Sequence, residues 1–195
     1  MKRYNFINDL IQKYGYKRYL EIGVDNGTNF SQVICESKES VDPATGAYQH
    51  ARPTYTATSD DFFENTAPSL EKWDIIFIDG LHHADQVDRD IENALKNLKP
   101  NGSIVLHDCN PLTELAQRVP RESKAWNGDV WKSIAKLRST GKGLGCIVIN
   151  TDHGLGWIHK SIPAVEPFTP TYTYEALESN REQYLGLVNL EDFTL

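Results

Sequence analysis

The segment Trp73-Asp74-Ile75-Ile76-Phe77-Ile78-Asp79-Gly80 constrains the fold of this chain more than any other. A strand with one wet face alternates apolar and polar residues. This one is apolar at every position from Ile75 to Ile78, so both of its faces must be covered. Val87, Ile91, Leu95 and Leu98 then recur at helical spacing until Lys99-Pro100-Asn101-Gly102 interrupts them. Ser103-Ile104-Val105-Leu106-His107-Asp108 is a second apolar run that ends in polar groups. Buried strands separated by helices imply a parallel sheet with helices on both faces, a doubly wound α/β fold.

The rest of the chain repeats the pattern. Phe6, Ile7, Leu10, Ile11 and Tyr14 share a helical face that stops at Gly15, and Arg18 to Val24 is a short apolar strand closed by Asp25-Asn26-Gly27. A helix with Phe30, Val33 and Ile34 inward follows, and Ser40-Val41-Asp42-Pro43 ends a second strand. Residues 44–53 read as loop, Thr54 to Thr58 as strand, and Asp60-Asp61 as the start of a short helix. Val130, Trp131, Ile134 and Leu137 mark another helix. Gly145 to Asn150 and Gly154 to His159 form a hairpin across Thr151-Asp152-His153, and Tyr174 to Leu187 a last helix. Ligands of such sheets sit at the carboxyl ends of the strands, which directs attention to Glu21–Gly27, Asp42, Asp60, Asp79–His83 and His107-Asp108.

Composition narrows the function classes. A chain of 195 residues suits one domain, with residues 1–15 as an N-terminal helix, 16–160 as the core and 161–195 as an extension. The formal net charge of −7 argues against nucleic acid as a partner. No apolar run approaches the ~20 residues of a membrane span. Three widely spaced cysteines, Cys35, Cys109 and Cys146, build neither a disulfide framework nor a zinc knuckle. With no leader pattern at Met1-Lys2-Arg3, the expected compartment is the cytoplasm. Partner expectations are a small molecule and, as an open option, a second copy of the chain.

The first strand–turn–helix reads Glu21-Ile22-Gly23-Val24-Asp25-Asn26-Gly27-Thr28, or E-x-G-x-x-x-G. It is not the dinucleotide pattern G-x-G-x-x-G, because Asp25 and Thr28 stand where glycines would, and the P-loop is absent as well. Asp42, at the end of strand two, is placed to accept both hydroxyls of a ribose. With Asp60 after strand three and the order of elements, this set resembles the class I S-adenosylmethionine-dependent methyltransferases. Ile78-Asp79-Gly80-Leu81-His82, Lys99-Pro100-Asn101-Gly102 and Leu106-His107-Asp108 are similar to the bacterial branch related to small-molecule O-methyltransferases.

That resemblance implies a mostly parallel seven-stranded sheet with an antiparallel last strand, and S-adenosylmethionine as cofactor. It implies that Gly23, Asp25, Gly27 and Thr28 line the amino-acid part of the cofactor, with Glu21 steering the turn. It further implies Asp42 on the ribose, Ser59 and Asp60 at the adenine edge, and Asp79 at the methionine end. The reaction implied is methylation of a small-molecule acceptor, at oxygen by preference. His82, His107 and, less so, His83 are base candidates, since imidazole titrates near neutrality. Catechol-type relatives place magnesium on three residues, of which Asp79 and Asp108 are present. The third position is Cys109, a poor ligand for a hard cation, and this weakens the case for magnesium.

Plainer readings compete at several positions. Asp60 serves equally as a helix cap, Trp126 and Trp131 as packing anchors, and Asp108 as a loop hydrogen-bonder. Asp85, Asp88, Arg89, Asp90 and Glu92 read as a solvated helix face, and His50, His153 and His159 as loop or surface residues. Two other functions stay open: a nucleoside-binding module without turnover and, with less support, an NAD-dependent oxidoreductase.

Overall fold

The computed structural model describes residues 1–45, 52–140 and 145–195. The chain divides into two compact units: Met1–Leu81 with Arg89–Val105 and Leu195, and His82–Asp88 with Leu106–Thr194. Among the described residues, eight strands form a mostly parallel sheet with an antiparallel pair, where the resemblance implies seven. No helix among the described residues is long and apolar enough to cross a membrane.

The first unit opens with α1 (Arg3–Tyr14), which buries Phe6, Ile7, Leu10 and Ile11 and ends at Gly15. Then come β1 (Arg18–Ile22), α2 (Thr28–Gln32), β2 (Ser37–Asp42), β3 (Tyr55–Thr56), α3 (Ser59–Asn65) and β4 (Trp73–Ile78). Helix α4 (Ala84–Asn97) and strand β5 (Leu98–Leu106) are divided between the units. The strands of the first unit lie in the order β3-β2-β1-β4-β5. β1 pairs in parallel with β2 and with β4, so Ile22 stands level with Val41 on one side and Ile78 on the other. The polar residues that follow these three positions therefore emerge along one edge. Tyr19, Leu20, Ile75, Ile76 and Phe77 are fully buried, as strands covered on both faces require.

The opposite ends of the same strands are clamped by two carboxylates. Glu39 accepts hydrogen bonds from Arg18 (2.7 Å), the Trp73 indole (2.8 Å) and the Tyr55 hydroxyl (2.9 Å). Asp74 accepts from the backbone N–H groups of Lys17 (3.0 Å) and Arg18 (2.9 Å) and from the Lys99 ammonium (3.1 Å). Burial by itself would raise both carboxyls; the donors around them outweigh it and hold each below its ordinary range.

The second unit contains α5 (Glu114–Gln117), α6 (Trp131–Ser139), β6 (Gly145–Asn150), β7 (Leu155–His159), α7 (Tyr174–Ser179), α8 (Arg181–Leu185) and β8 (Leu187–Asn189). Its strands run β7-β6-β8, with β6–β7 antiparallel and β6–β8 parallel. The expected hairpin is present. Trp131 is fully buried and stacks on Tyr184, which makes it a packing anchor.

Several expectations need correction. α2 ends at Gln32 and Val33 is extended, so Ile34 leaves the inward face and is 78% exposed. Pro100 disfavours helix at the residue before it, and β5 starts at Leu98 rather than Ser103. The final helix breaks at Asn180, and beyond Gly186 the chain adds β8. Asp90 is buried, because positions 87, 90, 91 and 94 share one face of α4; His159 is buried in β7 and stacks on Trp157. The loop read at 44–53, and His50 with it, falls mostly outside the described residues.

Glu39→Ala strands one guanidinium, one indole N–H and one hydroxyl, and is expected to lower unfolding free energy by about 2–3 kcal/mol. Glu71→Ala removes a partner of Arg18 that is 79% exposed, and should change it by under ~0.5 kcal/mol. Urea denaturation of the two variants beside the parent checks the contrast.

Candidate functional site

Nine sequence candidates fall in the first unit, most of them around the end of β1. Gly23 has φ +85, and a side chain there would overlap the Asp79 carbonyl and come within 2.7 Å of the Gly80 Cα. Its missing side chain thus admits the backbone at the end of β4, in addition to permitting the turn. The Asp79 N–H donates to the Ile22 carbonyl (2.8 Å), which fixes that approach. Gly27 (φ +75) precedes α2, and Asn26 accepts the Thr28 N–H at 2.9 Å in an Asx turn. Asp25 is exposed, with φ 44.

Asp42 holds the turn from the side. One carboxylate oxygen accepts the Val24 N–H at 2.8 Å, and the other accepts the Ala44 N–H at 2.8 Å. The first of these oxygens also accepts the Asp25 N–H at 3.4 Å. Ser59 and Asp60 lie in the first turn of α3, whose cap is Thr58, accepting the Asp61 N–H at 3.1 Å. Asp60 is therefore not the cap; it pairs with Arg89 at 3.2 Å, and both are substantially exposed.

Glu21 is 1% exposed and accepts hydrogen bonds from the Tyr19 hydroxyl and from Asn29 Nδ2 (2.9 Å). Burial dominates its titration and pushes the carboxyl up to about 7 against those two bonds; Asp79 adds to the rise and Arg3 opposes it. Burial and the Glu21 charge hold the Tyr19 phenol well above its ordinary value. Arg3, at the start of α1, donates to the Asp79 carboxylate at 2.6 Å. Sequence reasoning passed over Arg3, because nothing in a basic N-terminal dipeptide marks a long-range partner.

The second unit gathers imidazoles around Asp108. His107 Nδ1 lies 2.9 Å from Asp108 Oδ2, and His82 Nδ1 lies 3.4 Å from the same oxygen. Asn127 donates to Asp108 Oδ1 at 3.0 Å, and His153 Nδ1 is 4.0 Å from that oxygen. The His82 side chain is 19% exposed and that of His107 only 4%. Trp126 stacks on His82, with ring centroids 5.1 Å apart and 20° between planes, and meets His83 edge-on at 6.3 Å. Gly128 (φ +62) makes room for the His82 backbone: a side chain there would come within 2.5 Å of the His82 Cβ. Cys109 is buried, and its thiol donates to the His107 carbonyl at 3.5 Å. Asn127 and His153 were missed as neighbours of Asp108.

The raised Glu21 carboxyl has a consequence for stability. Its folded value lies above the unfolded one, so the native state holds the proton more tightly and stability falls as pH rises from 4.5 through about 7. Glu21→Gln is expected to flatten this fall, which amounts to about 3 kcal/mol. Unfolding midpoints measured between pH 5 and 8 for parent and variant check it; parallel curves refute it.

A family model described as a methyltransferase domain matches residues 20–109. A search of the curated proteins finds no match. Among solved structures, an O-methyltransferase from Bacillus cereus in complex with S-adenosylhomocysteine is similar at TM-score 0.55 and 16% identity, covering 80% of this chain and 78% of that one. TomG, an O-methyltransferase from Streptomyces achromogenes in complex with S-adenosylmethionine, is similar at TM-score 0.53 and 16% identity, over 80% and 77%. A Podospora anserina methyltransferase bound to S-adenosylhomocysteine gives TM-score 0.56 at 13% identity, over 80% and 77%. Residues 20–109 are thus similar to a methyltransferase domain, and the chain shares its fold with O-methyltransferases of known structure.

Proposed function

We propose that this chain transfers a methyl group from S-adenosylmethionine to a hydroxyl of a small molecule. The observation that carries the reading is Asp42: a carboxylate at the end of β2 that grips the turn after β1, at the strand edge where such sheets bind the ribose of a nucleoside. In this reading Gly23, Asp25, Gly27 and Thr28 border the methionine part, with Glu21 beneath the turn. Asp79 faces the positive end of the cofactor, and Ser59 and Asp60 lie at the adenine edge. Solved neighbours that hold S-adenosylmethionine or its product support the choice of cofactor. An exposed Asp25 in the turn disfavours a dinucleotide pyrophosphate, and with it the NAD alternative.

The cofactor supplies a methyl carbon activated by its sulfonium. The chain has to align an acceptor and remove its proton. His82 is assigned the base: its ring is stacked on Trp126 and steadied by Asp108, and it is more accessible than His107. The His82 imidazole would take the proton of the acceptor hydroxyl, and the cofactor, when bound, would supply the methyl group with its thioether as leaving group. His107 is a positioning residue that orients Asp108. Magnesium is assigned no step: at the third position of the metal pattern, the Cys109 thiol is buried and donates to the His107 carbonyl.

S-adenosylmethionine or S-adenosylhomocysteine at 100 times its dissociation constant should add ~2.7 kcal/mol and raise the melting midpoint by several degrees, with no shift from NAD. No response at millimolar ligand would remove the cofactor reading. His82→Ala should cost about 100-fold or more in turnover while the affinity for S-adenosylhomocysteine stays as in the parent. An equal loss of affinity would move His82 from catalysis to cofactor binding. A protein that binds the cofactor yet forms no S-adenosylhomocysteine with any hydroxyl acceptor would be a binding module.

A further inference from the structure

We propose that Arg181 determines which acceptor is taken: its guanidinium binds a carboxylate or phosphate group, so the molecule to be methylated is a small hydroxy compound that is also an anion. This rests on the function proposed above and adds the C-terminal segment to the acceptor side of the second unit.

Arg181 is a cation without a counter-ion. Its Nη1 donates to Asn110 Oδ1 at 2.6 Å and its Nη2 to the Tyr174 hydroxyl at 3.1 Å, both of them neutral oxygens. Glu175, Glu178 and Glu182 are near in sequence, yet no carboxylate among the described residues pairs with it. The side chain reaches instead to the loop that follows β5. A guanidinium carries five N–H donors, and these two contacts leave the others for a ligand. Arg181 is only partly buried, and its planar fork matches a carboxylate or a phosphate.

The guanidinium is held in place by a chain of amides. Asn110 is buried; its Nδ2 donates to Asn150 Oδ1 (3.1 Å), and Asn150 Nδ2 donates to Asn189 Oδ1 (3.2 Å). The Asn110 N–H donates to the His153 carbonyl at 3.0 Å, and a side chain at Gly154 would come within 2.6 Å of the Asn110 Cβ. With its other groups fixed, the Asn110 side-chain carbonyl points at Arg181. A guanidinium set in this way loses less freedom on binding an anion than one that swings in water.

The position suits an acceptor. Asn110 lies two residues beyond Asp108, the carboxylate that steadies His82, and Asn127 Nδ2 ties Asp108 to the His153 carbonyl. Two residues of chain span ~7 Å, so Arg181 and the proposed base stand on the order of 10 Å apart. A molecule with a hydroxyl at one end and an oxyanion at the other reaches both. The net charge of −7 repels anions at long range, so an anionic acceptor needs a dedicated local cation.

Three one-ring probes separate charge from shape: 4-hydroxybenzoate, 4-hydroxyphenyl phosphate and the neutral 4-hydroxybenzamide. Each is titrated calorimetrically into the parent chain and into Arg181→Gln, both saturated with S-adenosylhomocysteine. The parent should bind one of the anions about tenfold more tightly than the amide, and the better anion distinguishes carboxylate from phosphate. In Arg181→Gln that ratio should fall to about one. The ratio is internal to each protein, so a merely structural role for Arg181 leaves it unchanged. Equal ratios in parent and variant overturn the assignment. A parent that binds S-adenosylhomocysteine but neither anion, or no anion better than the amide, overturns it too and leaves the cofactor reading intact. A chain that takes up no S-adenosylhomocysteine overturns the proposed function, and the acceptor role of Arg181 with it. Should Arg181→Gln not fold, Arg181→Met, which keeps the length of the side chain, has the same readout.

Discussion

Everything at the candidate cofactor site depends on how closely β1 lies against β4. β1 is the middle member of three parallel strands, and its last residue, Ile22, stands level with Val41 and Ile78. Just beyond, Gly23 presses its backbone against Asp79 and Gly80 at a distance that admits no side chain. Parallel strands all finish at the same edge, so this single contact aligns the turn, the Asp42 carboxylate and the Asp79 carboxylate. Elsewhere on the sheet a larger residue would be a packing fault. Here it would separate the groups on which the proposed chemistry rests.

The two ends of these strands use carboxylates in opposite ways. Glu39 and Asp74, at the starting edge, are surrounded by donors and held below their ordinary range, so they stabilise the fold at neutral pH. Glu21 lies in the same sheet, but burial wins over its two hydrogen bonds, and its ionised form is disfavoured. A domain needs the first kind to stay folded and tolerates the second where a ligand supplies the missing compensation. A positive sulfonium and ammonium are suited to that task.

The second unit keeps its polar cluster in place with backbone that few residues adopt willingly. Asp108 (φ 59), Asp152 (φ 45) and His153 (φ 67) all occupy the left-handed region without being glycine. Such conformations cost on the order of 1–3 kcal/mol each and persist where the surroundings overdetermine them. Here the surroundings are the Asn110 and Cys109 N–H groups, which donate to the His153 and Gly154 carbonyls at 3.0 Å, and Asn127, which bridges Asp108 and the His153 carbonyl. The result is a carboxylate with one imidazole on it and a second within 3.4 Å, near a flat indole surface.

Much of this was legible from residue order alone. The apolar run at Ile75–Ile78, the glycine turn after Glu21 and the hairpin around Asp152 each follow from local rules of burial, backbone freedom and turn chemistry, which act over a few residues. Those rules determined the parallel strands, their order along the chain and the edge that carries the polar groups. They failed where distant segments decide. Ile34 was turned outward by the early end of α2, Asp90 was buried by the register of α4, and β8 formed because β6 offered an open edge. Arg3 on Asp79, Arg181 on Asn110 and the shared use of Asp108 by two histidines belong to the same class. Side-chain partners 26 to 76 residues apart have no periodicity to betray them, and only the packed chain brings them within hydrogen-bonding distance.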